Sequence, residues 1–217
     1  MTLKGNFPGF FFLSMILICP IMALEALAPL LTRGISPLGA TALIRTFEII
    51  FSLTVLNNVS KGFFRVGMST INLSKGLRTG ITWSMFFGLT VFLLAAIMLL
   101  NDLNLLKIVG SKIPFKGAEL YLFFLTGGLI APIAEEIVFR GVLYSLFREL
   151  NCAVAIIFST LIFALFHYRT GNIPLFQIIG GVVFALSFEF SKSLAAPIII
   201  HALGNLAIFS ISLYLYQ

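Results

Sequence analysis

Two adjacent carboxylates and an arginine stand inside a strongly apolar stretch, Ala131-Pro132-Ile133-Ala134-Glu135-Glu136-Ile137-Val138-Phe139-Arg140-Gly141. Ionisable groups at membrane depth are expensive and mark a site until shown otherwise. On a helix Glu136 and Arg140 are four residues apart and share a face, so they can pair. Glu135 points about 100° away from that pair. The spacing predicts Glu136 neutralised by Arg140, with Glu135 left free as a general base. The chain has only 2 histidines. His167 ends the run Phe163-Ala164-Leu165-Phe166-His167, and His201 opens His201-Ala202-Leu203-Gly204-Asn205. His201 and Asn205 also fall on one helix face.

Such groups suit amide hydrolysis. A carboxylate and an imidazole can activate a water between them, while a second imidazole and a carboxamide donate to the developing oxyanion. No serine or cysteine is placed beside a base as a nucleophile. A metal is the alternative, because two histidines and a glutamate form a known catalytic zinc set, here Glu135, His167 and His201. The histidines lie on different helices without an H-E-x-x-H chelate, so the sequence leaves both chemistries open. Taken singly, each group has a structural explanation. A histidine at the end of a span can sit at the interface, and an H-x-x-x-N pair can bond two helices. Their concentration between residues 135 and 205 favours a common site.

The elements that must position them are membrane helices. Of 217 residues, 59% are hydrophobic, and mean hydropathy is +1.09. A span needs about 20 apolar residues, so the chain reads as an all-α, polytopic transmembrane bundle forming a single domain over 1–217. The net charge of +6 belongs to connecting loops and not to a nucleic-acid surface. Cys19 and Cys152 have neither C-x-x-C spacing nor a local histidine cluster, which leaves them as small buried hydrophobes.

The apolar pattern predicts seven spans: 7–31, 40–56, 81–100, 119–150, 153–167, 176–190 and 196–215. Segment 57–79 holds Lys61, Arg65, Lys75 and Arg78. It reads as a cytoplasmic loop with a short interfacial helix laying Phe63, Phe64 and Ile71 on the membrane, or as an eighth span if it dips in. Residues 101–117, with Lys107, Lys112 and Lys116, form another loop. Lysine and arginine placement slightly favours a cytoplasmic N-terminus. Ser36-Pro37-Leu38-Gly39 reads as a turn. Arg45 and Glu48 are three apart and predict an ion pair. Glu25 reads as an interfacial carboxylate or one bonded to a neighbouring helix. Pro132, which has no amide hydrogen, predicts a break or bend where the glutamates enter the bundle.

E-E-x-x-x-R, F-x-x-x-H and H-x-x-x-N, in this order on apolar helices, resemble the CAAX protease and bacteriocin-processing family. These intramembrane proteases are similar to the type II CAAX prenyl endopeptidase. The resemblance covers 118–210 as a catalytic core and leaves 1–117 as N-terminal helices. It implies Glu135 as general base, His167 as its partner on the water, and His201 and Asn205 as oxyanion donors. It also implies Glu136 and Arg140 as supports and Phe163 as packing for the site. No cofactor is expected from it, although members were long described as metalloproteases and a divalent metal such as zinc remains the other form. The implied substrate is a peptide or membrane-associated protein among membrane lipid, with no nucleic acid partner. The implied location is the plasma membrane of a bacterium. Two other classes compete. One is a non-catalytic scaffold or bacteriocin-immunity protein. The other is a small transporter with Glu135 or Glu48 as proton relay, disfavoured because no inverted repeat is present.

Overall fold

The computed structural model describes residues 7–59, 61–101, 113–168 and 174–215. Among them the regular structure is entirely helical. In chain order the helices are α1 (Phe7–Leu31), α2 (Pro37–Asn57), the one-turn α3 (Gly62–Arg65), α4 (Leu73–Leu100), α5 (Gly117–Arg148), α6 (Cys152–Phe166), α7 (Leu175–Ser191) and α8 (Ala195–Leu215). Helices α1, α2, α4, α5 and α8 are long and apolar enough to cross a membrane, whereas α6 and α7 are shorter apolar helices of 15 and 17 residues. The protein is a multi-pass membrane bundle.

Helix α5 is the axis of that bundle, because its faces enter three separate core clusters. Val142 and Leu146 meet Phe10, Leu13 and Leu17 of α1 and Leu56 of α2. Ile137 and Tyr144 meet Ala155 of α6 and Ala185 and Phe188 of α7. Phe139 and Leu143 meet Phe163 of α6, Phe184 of α7 and Ile200 of α8. The N-terminal helices therefore pack directly on the helix that carries the glutamates.

Pro132 does not break α5. The helix absorbs it by widening into π geometry over Thr126–Ile130, returning to α over Ala131–Glu136, and widening again over Ile137–Tyr144. Such segments let a helix continue where its regular hydrogen-bond ladder is interrupted.

Several boundaries move for local reasons. Ser36 is not a free turn but the N-cap of α2, its hydroxyl accepting from Gly39 N at 3.1 Å ahead of Pro37 in the first turn. Helix α4 begins at Leu73, earlier than the apolar run, because Gly76 and Gly80 seat its first turns against α8. A methyl group on Gly80 would lie 2.9 Å from Ile199 Cβ and 3.1 Å from the Ala196 carbonyl oxygen. Small residues four apart are how membrane helices approach closely. Segment 57–79 holds α3, a 3-10 turn over Thr70–Asn72 and the start of α4, so it forms no eighth span. Phe64 and Ile71 are exposed as expected of interfacial residues, but Phe63 packs into the α1–α2–α5 core. The basic residues Lys107 and Lys112 and the residue Arg169 lie outside the described residues.

Two polar staples hold helices together. Arg45 Nη1 contacts Glu48 Oε2 at 2.8 Å, as its spacing predicts, and also Glu25 Oε1 of α1 at 2.7 Å. Glu189 of α7 accepts from Tyr144 Oη at 2.6 Å and from Arg148 Nε and Nη2 at 3.1 Å each, and pairs with Lys192 Nζ at 2.6 Å. The forked arginine contact gives this staple a fixed geometry.

The α4–α8 seam makes a checkable prediction. Gly80→Ala should destabilise the bundle by about 1–3 kcal/mol through overpacking against backbone. Gly88→Ala, where nothing lies within 4 Å, should be neutral or stabilising through helix propensity. Thermal unfolding in detergent should show a lowered midpoint for Gly80→Ala and an unchanged or raised one for Gly88→Ala.

Candidate active site

Glu136 and Arg140 form the centre. Both side chains are fully buried, and Arg140 Nη1 donates to Glu136 Oε1 at 2.9 Å, the pairing read from their spacing. The same oxygen accepts from His201 Nδ1 of α8 at 2.8 Å. A carboxylate only accepts, so Nδ1 carries the hydrogen and Nε2 is turned away from the pair. Arg140 Nη2 also donates to the Gly181 carbonyl of α7 at 3.3 Å. One ion pair thereby ties α5 to α7 and α8.

An aromatic box surrounds it. The Arg140 guanidinium lies over the rings of Phe163 at 4.6 Å and Phe184 at 5.1 Å, contacts that help a cation tolerate desolvation. Phe184 stacks on His201, ring centroids 4.7 Å apart at 18°. Phe163 packs against His167 at 4.5 Å and edge-on to His201 at 5.9 Å. Phe163 thus holds both imidazoles.

His167 follows the last residue of α6, where helix carbonyls lack partners. Its Nδ1 bonds the Phe163 carbonyl at 2.9 Å. A carbonyl only accepts, so Nδ1 is again the protonated atom and Nε2 faces the site. Glu135 Oε2 then lies 3.8 Å from His167 Nε2 and 3.8 Å from His201 Nε2. That separation is too long for a direct hydrogen bond and suits one water bonded to both partners. Glu135 and His167 keep side-chain exposures of 11% and 30%, against 0% for Glu136, so those two reach the edge of the bundle and Glu136 does not.

Asn205 also faces α5. Its Nδ2 donates to the Gly127 carbonyl at 2.8 Å, so one of its two hydrogens is committed to the helix backbone. The sequence reading did not include that bond. The Glu136–His201 bond, Phe184 and the Gly181 carbonyl were equally missing from it. Phe184 is one of 24 phenylalanines and nothing in its spacing sets it apart. Glu48, the other relay candidate, is bound to Arg45. Among the described residues no group of three or more His, Cys, Asp or Glu side chains is arranged to hold a metal ion. Both histidines bond protein acceptors through Nδ1, which leaves Nε2 of each free.

Residues 117–207, which carry all three motifs, match the family model described as type II CAAX prenyl endopeptidase Rce1-like. The chain is 41% identical over 107 residues to the membrane-embedded CAAX protease MroQ of Staphylococcus aureus (strain USA300). That alignment covers 46% of this chain and 40% of the relative, so the match spans less than half of either. No solved structure matches. The resemblance to CAAX proteases read from the motifs is borne out over the helices that build the site.

The buried pair gives the second prediction. Arg140→Leu leaves the Glu136 carboxylate uncompensated and should cost about 3–5 kcal/mol. Low yield and a lowered unfolding temperature in detergent are expected. A well-folded Arg140→Leu protein that had lost only activity would instead place Arg140 in the chemistry.

Proposed function

We propose that this protein is an intramembrane endopeptidase that hydrolyses a peptide bond with a water held by Glu135 and His167. The observation that carries the reading is the position of Glu135 Oε2, 3.8 Å from the free ring nitrogen of each histidine although the three residues stand on three helices. Glu135 takes a proton from the water, and the resulting hydroxide adds to the scissile carbonyl carbon. His167 Nε2, left free by the bond from Nδ1 to the Phe163 carbonyl, accepts the other water hydrogen and fixes the oxygen. The oxyanion takes hydrogen bonds from Asn205, through its second Nδ2 hydrogen, and from the ring of His201, which Glu136 holds in place. Glu135 then delivers its proton to the leaving nitrogen, the C–N bond breaks, and a carboxylic acid and an amine result. Glu136, Arg140 and Phe163 position these groups and exclude water from behind them.

The relative's name as a membrane-embedded CAAX protease supports the reaction class. The substrate is a peptide or membrane-associated protein, met from within the lipid of a bacterial plasma membrane. Every step uses the chain's own side chains and no metal.

Two measurements test this. Glu135→Ala should lower peptide cleavage by about 10²–10⁴-fold, the usual contribution of a general base, without altering expression or unfolding temperature. Comparing the membrane proteome of cells carrying either form would reveal the substrate. A Glu135→Ala protein that kept its cellular role would support the scaffold or immunity class instead. A strong chelator should leave cleavage unchanged. Loss restored by a stoichiometric divalent ion would make Glu135, His167 and His201 metal ligands.

A further inference from the structure

Asn205 can serve as an oxyanion donor only if its carboxamide is held in one orientation, and what holds it is a carbonyl that an α-helix would not leave open. In α geometry the Gly127 carbonyl accepts from the amide of residue 131. Here Ala131 N bonds the Thr126 carbonyl instead, one residue further back, in the π segment Thr126–Ile130. In π geometry the Gly127 carbonyl would accept from residue 132, but that residue is proline and has no amide hydrogen. Both backbone partners are removed by two adjoining features of one stretch. Asn205 Nδ2 donates to this carbonyl at 2.8 Å.

The approach that makes the bond reachable is also encoded locally. Gly127 and Gly128 present bare backbone to α8. A methyl group on Gly127 would stand 2.9 Å from the Phe209 ring, and one on Gly128 would stand 2.5 Å from Leu206 Cδ2. Leu206 is the neighbour of Asn205, and Phe209 lies one turn further on. The double glycine brings α8 close, and the π segment with Pro132 frees the acceptor that α8 reaches.

We infer that Pro132 is a positioning residue for the reaction. By denying the Gly127 carbonyl a backbone donor, it leaves Asn205 as the donor that carbonyl meets and so aims the second amide hydrogen of Asn205 into the site. The inference rests on the proposed role of Asn205 as oxyanion donor. Pro132 is buried, and the inference requires that its effect on the reaction pass through Asn205.

That requirement is testable by a double-mutant cycle on the full chain in detergent, with a quenched fluorogenic peptide that the unmodified protein cleaves. Asn205→Ala should lower kcat by about 10²–10³-fold, as loss of one oxyanion donor does. Pro132→Ala restores the missing N–H, lets the backbone compete with Asn205 for the Gly127 carbonyl and shift its carboxamide, and should lower kcat at least tenfold with KM unchanged, because the lost contact belongs to the transition state. Its unfolding temperature should hold or rise, since alanine replaces proline inside a helix. The decisive result is the double variant, whose kcat should equal that of Asn205→Ala alone. Pro132→Gly restores the same N–H without adding helix propensity and repeats the cycle if the alanine variant folds poorly. Multiplicative losses in the cycle, or full kcat in a folded Pro132 variant, would overturn the inference and leave the role of Asn205 standing. Full kcat in Asn205→Ala would overturn the role of Asn205 and the inference with it.

Discussion

One carboxylate oxygen organises this bundle. Glu136 Oε1 accepts from Arg140 on its own helix and from His201 on α8, and both contacts are sealed from solvent. A buried carboxylate with so little room for water needs its partners in place, so the helices that supply them are held in one arrangement. Arg140 extends the constraint to α7 through the Gly181 carbonyl, and His201 carries it to Glu135 through its other ring nitrogen. Structural pairing and the proposed chemistry thus share atoms. The side chain that neutralises the core also fixes which nitrogen of His201 faces the reacting group.

The aromatic residues make that ion pair tolerable. Among the described residues Glu136 Oε2 and Arg140 Nε have no hydrogen-bond partner, and the guanidinium instead lies over Phe163 and Phe184. Ring faces offer partial negative charge without needing water. The same two rings pack against the imidazoles. A change at Phe163 or Phe184 would therefore reach both the support and the reacting groups.

Much of this was legible in the chain. Glu136–Arg140 and Arg45–Glu48 follow from helical spacing alone, because neighbours at three or four residues share a face whatever surrounds them. Apolar length placed α1 at its observed ends but started α4 too late, because its first turns carry polar residues and glycines. Local spacing cannot tell which helices meet. The bonds from Glu136 to His201 and from Asn205 to Gly127 join residues 65 and 78 apart, and they depend on how α5 and α8 pack. Pro132 reads as a break or bend in the sequence; the helix does not break there but widens and continues. The family resemblance supplied roles that geometry alone leaves open, while the N-terminal helices, outside that resemblance, prove to share a core with α5.

The central claim is that Glu135, His167 and His201 meet around one water-sized gap inside the bundle. An experimental density map of the protein in lipid, fine enough to show ordered water, tests it most directly. The account predicts a water within hydrogen-bond distance of both Glu135 Oε2 and His167 Nε2, with His201 Nδ1 on Glu136 and Asn205 on the Gly127 carbonyl. A map with Glu135 in a direct ion pair, or with His201 and Asn205 turned toward lipid, would contradict it.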